Sequence, residues 1–314
     1  MPDWLIERGI GETRFARIEQ GEIVEARILV DGIVAAGTVL TGRLKRSGFQ
    51  LFAESDGQDY FLPGGAHGAT EGGTLKFEVT REIIPGWEAW KRPLGRLIHG
   101  AERLSECLDG RKIAFPAANN ALNAAGWDEL IDEARSGIVR FEGGELHIFP
   151  TPAMTLIDVD GTLPRDLLAV HAAYATAGAI HRFGIGGSIG IDFPTVAGKT
   201  ARGQVDDAIR HRLRPPFEKT SLNGFGFMQI VRPRRHASLI ELARDQAPFE
   251  ARALLRRATF EPAGAKRLVA HPAVIAALER QPDWLEALAR QVGGAVGLRA
   301  DPALPMSGGY AENA

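Results

Sequence analysis

The apolar positions of this chain change period twice, and each change marks a different kind of element. Over residues 3–92, short runs rich in β-branched and aromatic residues (4–7, 14–18, 23–29, 34–44, 49–53, 59–62 and 75–83) alternate with Gly or Asp-Gly turns. Short strands at even spacing predict a small barrel. The glycine-rich break at 63–73 reads as a loop, because its glycines suit hairpin or bulge geometry better than a phosphate cradle. From 96 to 135 the period turns helical, with Leu97, Ala101, Leu104 and Leu108 on one face and a second helix over 127–134. Strands then return at 137–141, 145–149 and 153–158, a meander around Glu142-Gly143-Gly144. A helix opening at Pro164 carries Leu167, Val170, His171 and Tyr174. Strand 185–193, helix 201–213 and strand 225–231 follow, and the tail from Ser238 reads as mainly helical with a frayed, Gly-rich end.

Two of these strands end in an aspartate, Asp158 after Met154-Thr155-Leu156-Ile157 and Asp192 after Ser188-Ile189-Gly190-Ile191, with one helix-length segment between them. A crossover helix there makes the strands parallel and brings both carboxylates to one sheet edge, where α/β proteins place ligands. Paired carboxylates repel unless one is protonated or a hard cation bridges them, and Mg²⁺ is typically held by one or two carboxylates plus substrate phosphates.

Composition narrows the setting. With 314 residues, 45% of them hydrophobic, the chain has room for two or three compact units. No apolar run is long enough to span a bilayer and the first residues resemble no targeting peptide, so the expected compartment is the cytoplasm. Cys107 is the only cysteine, which excludes an intrachain disulfide and points to oxygen ligands for any metal. The net charge of −2 argues against indiscriminate polyanion binding, yet basic clusters occur at Arg43/Lys45/Arg46, Arg210/His211/Arg212/Arg214, Arg232/Arg234/Arg235/His236 and Arg252/Arg256/Arg257. Such clusters are either solvated faces or a track for phosphates.

Other motifs compete. Asp158-Val159-Asp160-Gly161-Thr162 also resembles the first motif of haloacid-dehalogenase-type phosphatases, but the only later acidic pair, Asp206-Asp207, lies inside a helical pattern. Ala197-Gly198-Lys199-Thr200 looks like the end of a P-loop, yet Phe193 stands where its first glycine is required. His171 and His181 are ten residues apart and make no zinc pair. Phe52 and Phe61, on successive barrel strands near Arg43, Lys45 and Lys91, are either core or a stacking platform for bases.

Taken together, the segments 4–29, 36–63, 139–160 with 186–193, and 298–304 resemble the ribonuclease E/G family of single-strand-specific endoribonucleases. The resemblance implies an α+β protein with an OB-fold RNA-binding barrel (33–92) inserted between an N-terminal β part (1–32) and a helical remainder (93–136). An α/β catalytic subdomain (137–240) and a small helical C-terminal domain (241–314) would follow. It implies that Asp158 and Asp192 bind Mg²⁺ and activate water against a backbone phosphodiester of single-stranded RNA, leaving a 5′-phosphate. Asp160, also in the catalytic set, stands where the family usually has an asparagine. Phe52 and Phe61 fall at RNA-stacking aromatics, with Arg43, Lys45 and Lys91 beside them. Gly224 replaces a basic residue usual near the catalytic centre, with Arg232 or Arg234 as candidate substitutes. The zinc-linking cysteines are absent, so no zinc-bridged dimer is expected. With only about 60 residues between barrel and Asp158, no 5′-end sensor is expected either. These departures leave a non-cleaving RNA-binding protein of the same fold as the alternative.

Overall fold

The computed structural model describes residues 4–86, 90–98 and 109–314. It is a mixed α+β protein whose described residues include eight α-helices and a closed five-stranded barrel. The chain forms two compact units, one from Met1–Asp31, Gly110–Arg135 and Leu239–Ala314, the other from Gly32–Asp109 and Ser136–Ser238.

In the first unit, β1 (Trp4–Arg8), β2 (Glu12–Glu19) and β3 (Glu22–Val30) form a meander, and β9 (Gly110–Ile113) adds to β1 in parallel. Helices α1 (Ala121–Ala124), α2 (Trp127–Ser136), α5 (Leu239–Arg244), α6 (Gln246–Ala258), α7 (Pro272–Glu279) and α8 (Pro282–Val292) belong with it. Two expectations are corrected here. The tail is not a separate helical domain, because Ile10 shares one buried cluster with Leu254, Leu255, Leu268 and Leu278. Nor is the Gly-rich end frayed: β18 (Tyr310–Asn313) pairs with β16 (Lys266–Ala270), which also pairs with β17 (Val296–Ala300). The buried Lys266 ammonium donates to Asn313 Oδ1 at 2.6 Å, which ties that end down.

In the second unit, β4 (Val39–Ser47), β5 (Gln50–Ser55), β6 (Gln58–Phe61), β7 (Thr74–Arg81) and β8 (Leu94–Leu97) close in the order β4-β5-β6-β8-β7 around Leu44, Ala53, Tyr60, Leu75, Phe77 and Val79. Closure removes the exposed edges that such short strands would otherwise present. Leu97, expected on a helix, faces Phe77 across β7 and β8 instead; Ala101, Leu104 and Leu108 of that expected helix, and Cys107, lie outside the described residues. The barrel therefore runs past residue 92.

The same unit carries a six-stranded sheet, β10 (Ile138–Phe141), β11 (Gly144–Pro150), β12 (Thr155–Gly161), β13 (Gly187–Asp192), β15 (Phe227–Arg232) and β14 (Glu218–Lys219), in that spatial order. α3 (Arg165–Arg182) connects β12 to β13 and packs on β10, β11 and β12, and α4 (Lys199–Arg212) lies against α3. In β12, Thr155, Ile157 and Val159 are buried while Leu156, Asp158 and Asp160 are exposed. Strand alternation thus gives the helices one apolar face and leaves the other open. Ile157, Ile189 and Ile191 are almost wholly buried, and each stabilises the unit by about 1.5–3 kcal/mol relative to exposure.

Candidate active site

β12 and β13 run parallel with Asp158 directly opposite Asp192. Both side chains therefore rise from the same, open face, on backbones about 4.8 Å apart. The row continues to either side, since His147 of β11 pairs with Asp158 and Phe227 of β15 pairs with Asp192. His147, Asp158, Asp192 and Phe227 thus form one cross-strand line. The next row holds Glu145 opposite Asp160. His147 Nε2 lies 3.0 Å from Glu145 Oε1 and 3.8 Å from Asp160 Oδ2, while Asp158 Oδ1 accepts the Val159 N–H at 3.0 Å.

Among the described residues, no group of three or more His, Cys, Asp and Glu side chains gathers where a metal could be held. That donor set does not fit a cation enclosed by protein. Two exposed carboxylates in register fit Mg²⁺, which keeps several waters and shares the rest of its shell with substrate oxygens.

On the other side of the pair the floor is apolar. Gly190 is crowded by Phe227, Met154 and Leu156, with a Cβ there falling 2.7 Å from the Phe227 ring, so only glycine lets these side chains meet. Phe225 stands out at 86% exposure in the turn that precedes β15. Asn223 Oδ1 accepts the N–H groups of Phe225 and Phe227, and the carbonyl of Gly226, a residue at φ +94, accepts the Phe193 N–H, so the turn is fastened beside Asp192. None of Glu145, His147, Phe225 or Phe227 stands out in the sequence; the alternation Glu145-Leu146-His147-Ile148 ahead of the aspartate strand is the one signal that could have flagged the first two.

The basic residues divide differently from expectation. Arg232 pairs with Gly187, five residues from the Asp192–Phe227 pair, which places it about 16 Å away along the strand. Arg234 packs on Gly186 and Gly187 at that same far end. Neither replaces a cation at Gly224. Arg232 instead joins Arg214 and Arg212 around His181, whose pKa burial and then these charges push down to about 4; His181 Nε2 accepts the Arg214 N–H at 2.8 Å. Arg165 and Lys199 open α3 and α4, the helices that follow the two aspartate strands in the chain, and helix N-termini favour anions. Asp206 is ion-paired to the buried Lys219, whose neighbour across the sheet is the fully buried Ile230. The second acidic pair needed for the phosphatase motif is therefore on the helix-covered side.

On the barrel, Lys45, Phe52 and Phe61 occupy one row across β4, β5 and β6, on the outer face. The two rings are 5.6 Å apart. Phe52 is nonetheless 5% exposed, with the Arg92 guanidinium 5.2 Å above its ring where a base would stack. Phe61 is half-buried and Arg43 exposed. Arg92 contacts Asp59 at 3.3 Å, and Lys45 lies 3.6 Å from both Glu54 and Asp59. Exposed pairs of this kind hold weakly and yield to a competing phosphate. Lys91 donates to the Pro152 carbonyl at 3.4 Å, in the loop that enters β12. No helix among the described residues is long and apolar enough to cross a membrane. No model of a known protein family matches the chain, and no curated protein matches it either.

Proposed function

We propose that this protein is a Mg²⁺-dependent endoribonuclease acting on single-stranded RNA, with a fold and site of the ribonuclease E/G kind. The observation that carries the reading is the register match of Asp158 and Asp192 on parallel strands of an open sheet face. Bound Mg²⁺ would supply a nucleophilic hydroxide near neutral pH and offset charge developing on the phosphodiester. Asp158 and Asp192 would hold that ion, and Asp160, one pleat further on, would add negative charge beside it. His147 lies in line with the pair, near enough to orient a phosphate or water. Arg165 and Lys199, at the starts of α3 and α4, would receive the flanking phosphates, and Phe225 and Phe227 would stack an unpaired base. The barrel, read as an OB-fold, would track the strand through Lys45, Arg43 and Phe61, with Arg92 swinging off Phe52 as a base arrives.

The test is cleavage of an end-labelled, A/U-rich single-stranded RNA in Mg²⁺ or EDTA, with the unaltered chain and Asp192→Asn in parallel. Internal cuts that require both metal and Asp192 support the reading. Binding without cutting favours a second one, a non-cleaving RNA-binding protein of the same fold. The placement of Arg232 and Arg234 far from the carboxylates speaks for that alternative.

A further inference from the structure

The first unit encloses a site of different chemistry, independent of the nuclease reading. On one face of its sheet, Glu7 of β1 pairs with Arg14 of β2, and beside them lies a cavity of about 250 Å³. Arg14, Arg256 and Arg257 line it together with the apolar walls of Trp127, Ile131 and Phe249. Arg14 is 1% exposed; its Nε donates to Glu12 Oε1 and its Nη1 to Glu7 Oε1, both at 2.7 Å, but Nη2 makes no hydrogen bond. The guanidinium lies against Gly9 and over the Phe115 ring, 5.4 Å from its centre, so the positive charge of Arg14 borders the cavity while this donor has no acceptor.

The carboxylates nearby are already engaged. Glu12 Oε2 accepts from Arg252 at 2.9 Å, and Glu250 takes both its bonds from Arg135 at 2.7 Å. Glu7 accepts from Arg14, Arg256 and Asn120, and although burial raises its pKa, Arg256 and Arg14 hold it below the ordinary carboxyl value. Asp128 and Asp132 line the rim, with side chains 65% and 74% exposed, and are screened by solvent. The cavity is thus lined by four guanidinium groups (Arg14, Arg135, Arg256, Arg257) and three carboxylates (Glu12, Asp128, Asp132), of which only Glu12 is buried and it is already paired with Arg14 and Arg252. Arg257 donates Nη2 to the Gly309 carbonyl at 3.0 Å, and burial followed by the like charge of Arg135 lowers its pKa. Arg256 Nη1 comes only within 3.5 Å of Asp128.

We propose that this cavity binds a phosphate oxyanion, free or as the monoester of a small organic group. Guanidinium forks arriving from several directions match the multiple acceptor oxygens of a phosphate better than the single plane of a carboxylate. The ring of Trp127 and the side chain of Phe249 form a wall for an ester group. The volume, just below the usual range for small-molecule sites, suits a small anion and excludes an RNA strand.

The experiment is calorimetric titration of the full chain in EDTA with orthophosphate, with a nucleoside 5′-monophosphate, and with acetate, all at matched ionic strength. Orthophosphate or the monoester should bind, acetate should be at least about tenfold weaker, and tighter binding of the monoester would assign the apolar wall to its organic group. Arg257→Gln should weaken phosphate by about tenfold, Arg257→Lys should also weaken it despite keeping the charge, and Asp192→Asn should leave it unchanged. Circular dichroism checks that each variant is folded, with the lysine variant as the fallback if the glutamine variant is not. Phosphate and monoester both binding no better than acetate, or binding unaltered by either Arg257 substitution, would overturn the proposal.

Discussion

Asp192→Asn should reverse its effect on stability when Mg²⁺ is added. Aligned strands are about 4.8 Å apart, and for carboxylates at about 5 Å the Coulomb repulsion is about 0.8 kcal/mol in bulk water and about 3 kcal/mol at an effective dielectric near 20. Asp158 and Asp192 are both exposed, so the value nearer the water limit, about 1 kcal/mol, applies. In EDTA the amide removes that repulsion, and the variant should melt about 2–4 °C above the unaltered protein. In about 10 mM Mg²⁺, a site with a Kd of about 1 mM gains about 1.4 kcal/mol, and the pair becomes net stabilising, a gain that the variant has lost. The order of melting temperatures should therefore cross between the two buffers. Thermal unfolding followed by circular dichroism reads this without any nuclease assay. If the Asp192→Asn variant is the less stable protein in EDTA, or if Mg²⁺ raises both proteins alike, the two carboxylates do not share an ion.

Other outcomes follow from single contacts. Glu7→Gln strands Arg14 and Arg256 in the interior and should lower unfolding free energy by about 3–5 kcal/mol in urea titration; a loss under about 1 kcal/mol would mean that the network does not depend on this charge. His181, held near 4 in the folded protein against the usual 6.5, is folded in its neutral form, so the unfolded chain takes up a proton first. Its contribution is fully present above about 6.5 and is lost as pH falls toward 4, amounting to about 2 kcal/mol after discounting the ring's partial exposure; replacing it with Gln should flatten that part of the stability profile, and an unchanged profile would refute the assignment. Phe61→Ala should weaken single-stranded RNA binding by about 1–3 kcal/mol in filter binding, whereas no change would remove the barrel face from the RNA path. RNAs bearing 5′-monophosphate and 5′-hydroxyl should be cut at similar rates, and a large preference for either would show that the chain senses the 5′ end.

The aspartate pair was legible because it depends on local information. The helix-length link between two apolar strand runs makes them parallel, as β12 and β13 are, but β12 continues three residues past Asp158 to Gly161, so the pair stands on the open face of the sheet and not at the strand-end edge that the sequence suggested. The neighbours of the pair were not legible, because His147 and Phe227 reach the row through cross-strand pairings that no local period encodes. The same holds for the arginines: Arg232 looks close to the site in sequence, yet each residue along β15 carries it further from Asp192. Arg92 covers Phe52 from 40 positions away, and the C-terminal sheet is interleaved with the strong helical patterns of α7 and α8, which mask its short strands.

The nature of the open face bears on which substrate the carboxylates would serve under the proposed function. A small phosphate ester needs charge and hydrogen bonds around the metal and gains little from apolar surface left in water. Here Phe149 and Leu156, at 46% and 39% exposure, stand beside the pair on the sheet face opposite the one that α3 packs on, and Phe225, at 86%, stands in the turn that leads into β15. Leaving such side chains in solvent forgoes their burial energy, so a ligand that covers them is the economical explanation. Under the proposed function, unstacked bases would do so, since every base offers a flat face whatever its sequence, and the backbone between them would run past Asp158 and Asp192. Phe225→Ala should then raise KM for an oligoribonucleotide but leave hydrolysis of a small phosphodiester such as bis-p-nitrophenyl phosphate unaffected. Equal losses on both substrates would mean that the ring supports the turn beside Asp192 and does not read a base.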